Sequence, residues 1–258
     1  MTSFEALLSR EGLAWMGQNT THLEPPAEVV AALRDSTQRR EFQFYAPALG
    51  FERLRELILD DLGLAGGDAV AMITDGAVGG LHHVCTALAA GLSRLITTYS
   101  FSKWLGLAGL RVGAVVGTPG LMGTLTEVPS NPLGASITAQ RAAIAGLEVK
   151  GPWLSRLRAV NAANQQIVGD AVTVSGLGRV LVRPSHGNFL AVDIGGSGWT
   201  ADGLCAAMLE RDVFIRPGTY QSPLFGERFV KVSTSVPPDW AQRFSAAWSA
   251  VVAGEVPR

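Results

Sequence analysis

Residues 99–113 read YSFSKWLGLAGLRVG, and this stretch decides how the rest of the chain is read. Only 17% of the 258 residues are charged. Yet one lysine, Lys103, stands here among hydroxyls and aromatics, with Gly106, Gly109, Arg111 and Gly113 behind it. On either side lie β-branched runs of strand character, RLITTY at 94–99 and RVGAVVG at 111–117. If these are antiparallel neighbours, the end of the first and the start of the second share one sheet edge, so Lys103 and Arg111 face one site. The plain alternative is a glycine-rich turn carrying two ordinary surface cations.

The residue types in this corner favour a site. An arginine fork with serine hydroxyls suits a phosphate, because both hydrogen-bond strongly to its oxygens. A lysine in an apolar pocket beside a second cation has its pKa lowered, and a neutral amine can form a Schiff base with an aldehyde. Phosphate and aldehyde together describe pyridoxal 5'-phosphate.

On the run SFSKWLGLAGLRVG the chain resembles the class I/II aminotransferases, pyridoxal-phosphate enzymes of fold type I. The resemblance implies that Lys103 holds the cofactor and moves the α-proton, while Ser100, Ser102 and Arg111 lie on the phosphate side. The segment YAPALGFERLRELI resembles the family region whose tyrosine reaches the phosphate of a neighbouring subunit, which implies Tyr45 and a homodimer. The turn TDGAVGG resembles the family's phosphate loop at a helix N-terminus, so Gly76, Ala77 and Val78 are the implied contacts. Val78 has no hydroxyl, which leaves backbone contacts there. Near the C-terminus, RFVKVSTSVP resembles the region that binds the substrate carboxylate. Lys231 stands at the place of an arginine and brings a point charge without a fork; Arg216 and Arg228 are the other candidates, and the plain alternative is a lysine on an exposed strand face.

The same resemblance implies a long stretch of large domain between Leu92 and Ser93, carrying the groups that grip the cofactor ring, and none of these maps onto the chain. Either the sequence lacks a segment that the full protein carries, or the chain is shortened and inactive. The unaltered flanking motifs favour the first. The expected reaction is amino transfer from an amino acid to a 2-oxo acid, with a same-fold lyase, decarboxylase or racemase as the alternative.

Elsewhere, periodicity predicts helices within 27–36, over 51–64 with Gly63 as C-terminal cap, over 81–91, 136–147, 153–172, 201–211 and 239–252. Strands are expected at 70–74, 179–183, 189–194, 213–216 and 229–233. These elements read as α/β over 40–150 with a smaller α+β domain made of 1–39 and 151–258, and the resemblance implies that the first is a fold type I large domain with a truncated sheet.

The totals exclude several classes. Lys plus Arg number 21 against 22 acidic residues, so no bulk field favours nucleic acid or an anionic membrane. Glu5, Arg10 and Glu11 interrupt the first residues, which argues against a signal peptide or a membrane span. Cys85 and Cys205 have no metal-type spacing and read as free thiols, so the expected location is cytoplasmic. His82 and His83 are adjacent on a helix and point apart, while His22 and His186 stand alone, so no metal site is expected. Gly196, Gly198 and Ala201 fit a dinucleotide-binding pattern, but the following strand ends in Arg216 where an acidic residue would be required.

Overall fold

The computed structural model describes residues 3–88, 96–127 and 135–254. The junction at 92–93 and the first residues of the expected strand at 94–99 lie outside them. In chain order the elements are α1 (Phe4–Leu8), β1 (Ala14–Trp15), α2 (Ala27–Gln38), α3 (Glu52–Asp61), β2 (Val70–Thr74), α4 (Gly76–Leu88), β3 (Thr97–Ser100), β4 (Gly113–Gly117), α5 (Pro119–Glu127), α6 (Ile137–Glu148), α7 (Lys150–Ser175), β5 (Arg179–Val180), β6 (Phe189–Asp193), α8 (Ala201–Leu209), β7 (Val213–Phe214), β8 (Arg216–Pro217), β9 (Phe229–Ser233) and α9 (Pro238–Val252).

The chain divides into two compact units, Glu24–Leu154 and a second made of Met1–Leu23 with Ser155–Arg258. The sequence reading drew its boundaries at 39/40 and 150/151, so α2 and the first turn of α7 fall in the α/β unit instead. For α2 the reason is packing: it lies against α6, with Val29 fully buried.

The α/β unit is built on a three-stranded sheet in the order β2-β4-β3, with both pairings antiparallel. Met72, Val84, Val115, Leu121, Met122 and Leu125 form a core that joins the sheet to α4 and α5. On α3 the apolar stripe buries Leu54 and Ile58 completely. That helix stops where Gly63 turns left-handed (φ +69°), letting Gly63 N donate to Asp60 O at 3.0 Å and Leu64 N to Leu59 O at 2.8 Å. This is a glycine-terminated helix end with its last carbonyls satisfied.

The second unit holds a four-stranded antiparallel sheet, β5-β6-β9-β8, and a parallel pair, β1-β7. Alternation along β6 and β9 sends Leu190, Val192, Val230 and Val232 into a core shared with α8 and α9, where Phe244 and Trp248 are fully buried. Trp248 satisfies its indole by donating Nε1–H to Ser175 Oγ at 2.8 Å. The opposite face of β9 carries Lys231 and Ser233, and segment 16–18 bonds to it: Ser233 N donates to Met16 O at 2.8 Å and its hydroxyl donates to Gln18 O. The antiparallel setting of β6 removes the dinucleotide-binding reading of 189–201, which needs a parallel βαβ unit. Cys205 is partly buried, and that burial, with the charge of Asp202, pushes its thiol up to about 12. It is expected to resist alkylation near neutral pH and to react only on unfolding, which intact mass measurement would follow.

Several expected bounds move. Arg111 belongs to no strand, because β4 begins at Gly113. The strand expected over 179–183 shortens to two residues, and 213–216 divides into β7 and β8, which belong to different sheets. Helix α4 starts five residues earlier than the periodicity suggested, since glycines at its start mask the pattern.

Candidate functional site

Between β3 and β4 the lysine turn is anchored on both sides of Lys103. Phe101 and Leu105 are fully buried, and Leu105 N donates to Phe101 O at 3.2 Å. Leu105 sits in a notch on α6 left by Gly146, where a Cβ would come within 2.1 Å of Leu105 Cδ2. Trp104 O accepts from Trp153 Nε1 at 2.6 Å. One helical turn before Trp153, the Lys150 ammonium lies 5.2 Å from the Trp104 ring centre and 5.4 Å from that of Tyr99, a cation–π arrangement over two rings. Lys150 also donates to the Tyr99 hydroxyl at 3.0 Å and pairs with Asp61, and the Tyr99 hydroxyl donates to Asp61 at 2.7 Å. Burial first, then the hydrogen bond to Asp61 and its charge, raise the Tyr99 phenol above its ordinary range. Lys103 is thus exposed between neighbours that are held in place.

This clamp predicts a loss of stability. Lys150→Met removes the charge over Trp104 and leaves Asp61 to Tyr99 alone, so thermal stability should fall, while Lys150→Arg should keep most of it, as read by melting.

The second half of the corner is a cradle at the start of α4. Register pairs Gly113 with both Thr74 and Ser100, and its backbone lies against the first peptide of α4. A Cβ on Gly113 would sit 2.6 Å from Ala77 N, 2.6 Å from Gly76 C and 2.8 Å from Tyr99 O. Gly76 is left-handed (φ +73°), and a Cβ there would lie 2.5 Å from Arg111 Nη2. Arg111, itself left-handed at φ 52°, therefore brings its guanidinium against Gly76, and its Nη1 donates to Ala108 O at 2.8 Å. A non-glycine residue pays for that conformation in strain, and such strain clusters at functional sites. The α4 N-terminus adds the positive end of its dipole. Although Lys103 is exposed as a residue, partial burial of its amine first, and the Arg111 charge second, lower its basicity. The structure thus brings together Lys103, Arg111, Gly76 and Ala77, with Ser100 half-buried beside Gly113. Ser102 is buried at 8% exposure, and its backbone N–H donates to Ser100 Oγ at 3.4 Å. Val78 is 70% exposed.

Among the described residues no contact ties Tyr45 to this corner. It is 77% exposed, beside exposed Phe42 and Phe44, and makes no side-chain hydrogen bond among the described residues.

In the other unit Lys231 is only 4% exposed, so the expectation of an ordinary surface lysine does not hold. Register sets it directly opposite Ala191 on one side and Arg216 on the other, which puts Arg216 and Lys231 side by side on one face. Arg216 stacks on Tyr220 at 4.1 Å from the ring centre, while Arg228 is engaged with Asp193 at 3.7 Å. Of the two alternative arginines, Arg216 is the one beside Lys231. Sequence reasoning missed Lys150 and Asp61 altogether; the spacing of Lys150 and Trp153, one turn apart on a helix, was the available signal.

Known proteins share this chain's sequence family and fold. Residues 63–244 match the family described as Aminotransferase class I and II. The chain is 33% identical over 162 residues to a histidinol-phosphate aminotransferase of Ralstonia nicotianae, covering 62% of this chain and 41% of that protein. It is 38% identical over 108 residues to an aromatic amino acid aminotransferase of Mycobacterium avium, covering 42% and 29%. Among solved structures, the Sinorhizobium meliloti histidinol-phosphate aminotransferase in complex with pyridoxal-5'-phosphate superposes with a TM-score of 0.76 at 20% identity, covering 98% of this chain and 95% of that one. The matched stretch spans about two fifths of the length of the first of these curated relatives. With the fold shared and the family match extending over most of its length, the chain belongs to the class I and II aminotransferases.

Proposed function

We propose that this chain transfers an amino group from an amino acid to a 2-oxo acid, using pyridoxal 5'-phosphate held at Lys103. The observation that carries the reading is the convergence of one amine of lowered basicity, one left-handed arginine and a glycine-lined helix N-terminus on a single corner. These residues fit the phosphate and aldehyde ends of the cofactor: side chains are lacking where a Cβ would fill the cradle, and the donors there favour a dianion. When bound, the cofactor supplies an aldehyde that captures amines and a conjugated ring that withdraws electrons from Cα.

The chain's own residues supply the rest. Arg111, with the Ala77 and Val78 amides, holds the phosphate, and Ser100 and Ser102 lie on the same side. The Lys103 nitrogen would be the point of attachment, and when free its amine would carry a proton between substrate Cα and the cofactor's aldehyde carbon, the move that amino transfer requires. Lys231 with Arg216 takes the substrate carboxylate, the first as a point charge and the second as a fork. Tyr45, exposed with Phe42 and Phe44, serves a second copy of the chain, and light scattering of the purified protein tests that homodimer.

The test of the reaction incubates the full gene product and cofactor with a panel of amino acids, with and without 2-oxo acids. Amino transfer that requires the oxo acid supports the proposal; product formed without it points to a lyase, decarboxylase or racemase. A second reading, binding of the cofactor without turnover, is favoured by the three-stranded sheet and by the ring-gripping residues that do not map. It predicts attachment at Lys103 with no product from any pair.

A further inference from the structure

A second basic site lies wholly within the unit that contains 155–258. Arg158, Asn161, Ala162, Gln165 and Gln166 recur at helical spacing along one stripe of α7, and across from them stand Arg183, Pro184, Ser185 and His186. Together they enclose a pocket of about 710 Å³, within the range of small-molecule sites.

The facing wall is fixed in advance. Gln165, 3% exposed, donates from Nε2 to Ser185 O at 3.0 Å and to Gly187 O at 3.1 Å, and its Oε1 accepts from Ser185 N at 3.0 Å. Asn161 Nδ2 donates to Gly187 O at 3.1 Å. Arg183 rests on the helix backbone at Gly169, where a Cβ would be 2.4 Å from Nη1. Glycine weakens a helix interior, and here its missing side chain is the room the guanidinium occupies. Asp170 accepts from Arg183 Nη2 at 2.7 Å, which fixes one edge of the fork and leaves its Nε and Nη1 without a hydrogen bond among the described residues.

The charges are unbalanced. No Asp or Glu is among the lining residues. Arg158 and His186 are exposed, and neither makes a side-chain hydrogen bond or ion pair among the described residues. Arginine donors thus reach the cavity from both walls, an arrangement that suits the several oxygens of a phosphate better than one planar carboxylate. The volume leaves space for an organic body beside the phosphate.

We propose that this pocket between α7 and the 183–186 segment binds a small organic phosphate. The inference does not depend on the reaction proposed above.

The test titrates the full chain with glycerol 3-phosphate, inorganic phosphate and succinate, following hydrogen–deuterium exchange of peptides covering 158–166 and 183–187. Glycerol 3-phosphate should slow exchange in both peptides and bind more tightly than inorganic phosphate. Arg158→Glu, an exposed position outside the proposed catalytic machinery, should weaken binding at least tenfold and leave turnover unchanged, while Arg158→Lys retains most of it. Protection that appears elsewhere but not in these peptides, equal binding by Arg158→Glu, or tighter binding of succinate would each overturn the assignment.

Discussion

Lys103→Ala is expected to abolish covalent attachment of pyridoxal phosphate and to lower transamination by about a thousandfold or more, the scale on which a positioned proton carrier that is also a nucleophile contributes. The loss follows from how the turn is built. Phe101, Ser102 and Leu105 are buried and Trp104 is held at both its carbonyl and its ring, so no neighbouring side chain can swing in to replace the amine. The fold should be unaffected, because Lys103 is exposed and removing it relieves the repulsion from Arg111 that lowers its basicity. Borohydride reduction followed by peptide mass mapping reads the attachment. In the wild-type protein the trapped mass should fall on Lys103 and should form at a lower pH than on a lysine of ordinary basicity, since a depressed pKa leaves more neutral amine. Trapping spread over several lysines, with Lys103→Ala unchanged, would remove the proposed mechanism.

The second large effect is expected from Gly113→Ala. A methyl there meets three backbone atoms, Ala77 N, Gly76 C and Tyr99 O, all within 2.8 Å. Backbone cannot rotate away as a side chain can, so β4 or the start of α4 must move, at a cost of about 1–3 kcal/mol. That shift also opens the phosphate cradle, and cofactor affinity should fall along with stability. Gly109→Ala is the control: it lies four residues earlier in the same stretch and would meet nothing within 4 Å. Equal melting temperatures and cofactor affinities for the two variants would show that the close approach at Gly113 carries no weight.

The parts of this site legible in the sequence were those written in unusual residues close together. A lysine, an arginine and glycines within fifteen positions of a sparsely charged chain gave the corner, and two β-branched runs gave the strands whose antiparallel pairing creates it. The clamp was illegible because Asp61, Tyr99 and Lys150 are ordinary residues that only the fold assembles. Lys231 is a different case: in FVKVS it alternates with valines like a solvent-facing residue, so nothing in the sequence announces that it is only 4% exposed. Helix α5, with two glycines and two threonines among its apolar residues, has too blurred a stripe to stand out, and Arg111 looked like the start of a strand because nothing in its identity announces a left-handed backbone.

The strand order β2-β4-β3 also fixes when the corner can exist during folding. β4 is the middle strand, yet it follows both of its neighbours in the chain, and it is reached only by passing through the lysine turn. Until β4 docks, β2 and the α4 N-terminus are one body and the turn bearing Lys103 is another. Phosphate cradle and attachment point should therefore be born in a single late step, the one that closes contacts across some forty residues of chain. In refolding, amide protection along β2 and rapid labelling of Lys103 by pyridoxal phosphate are expected to rise with the same time constant.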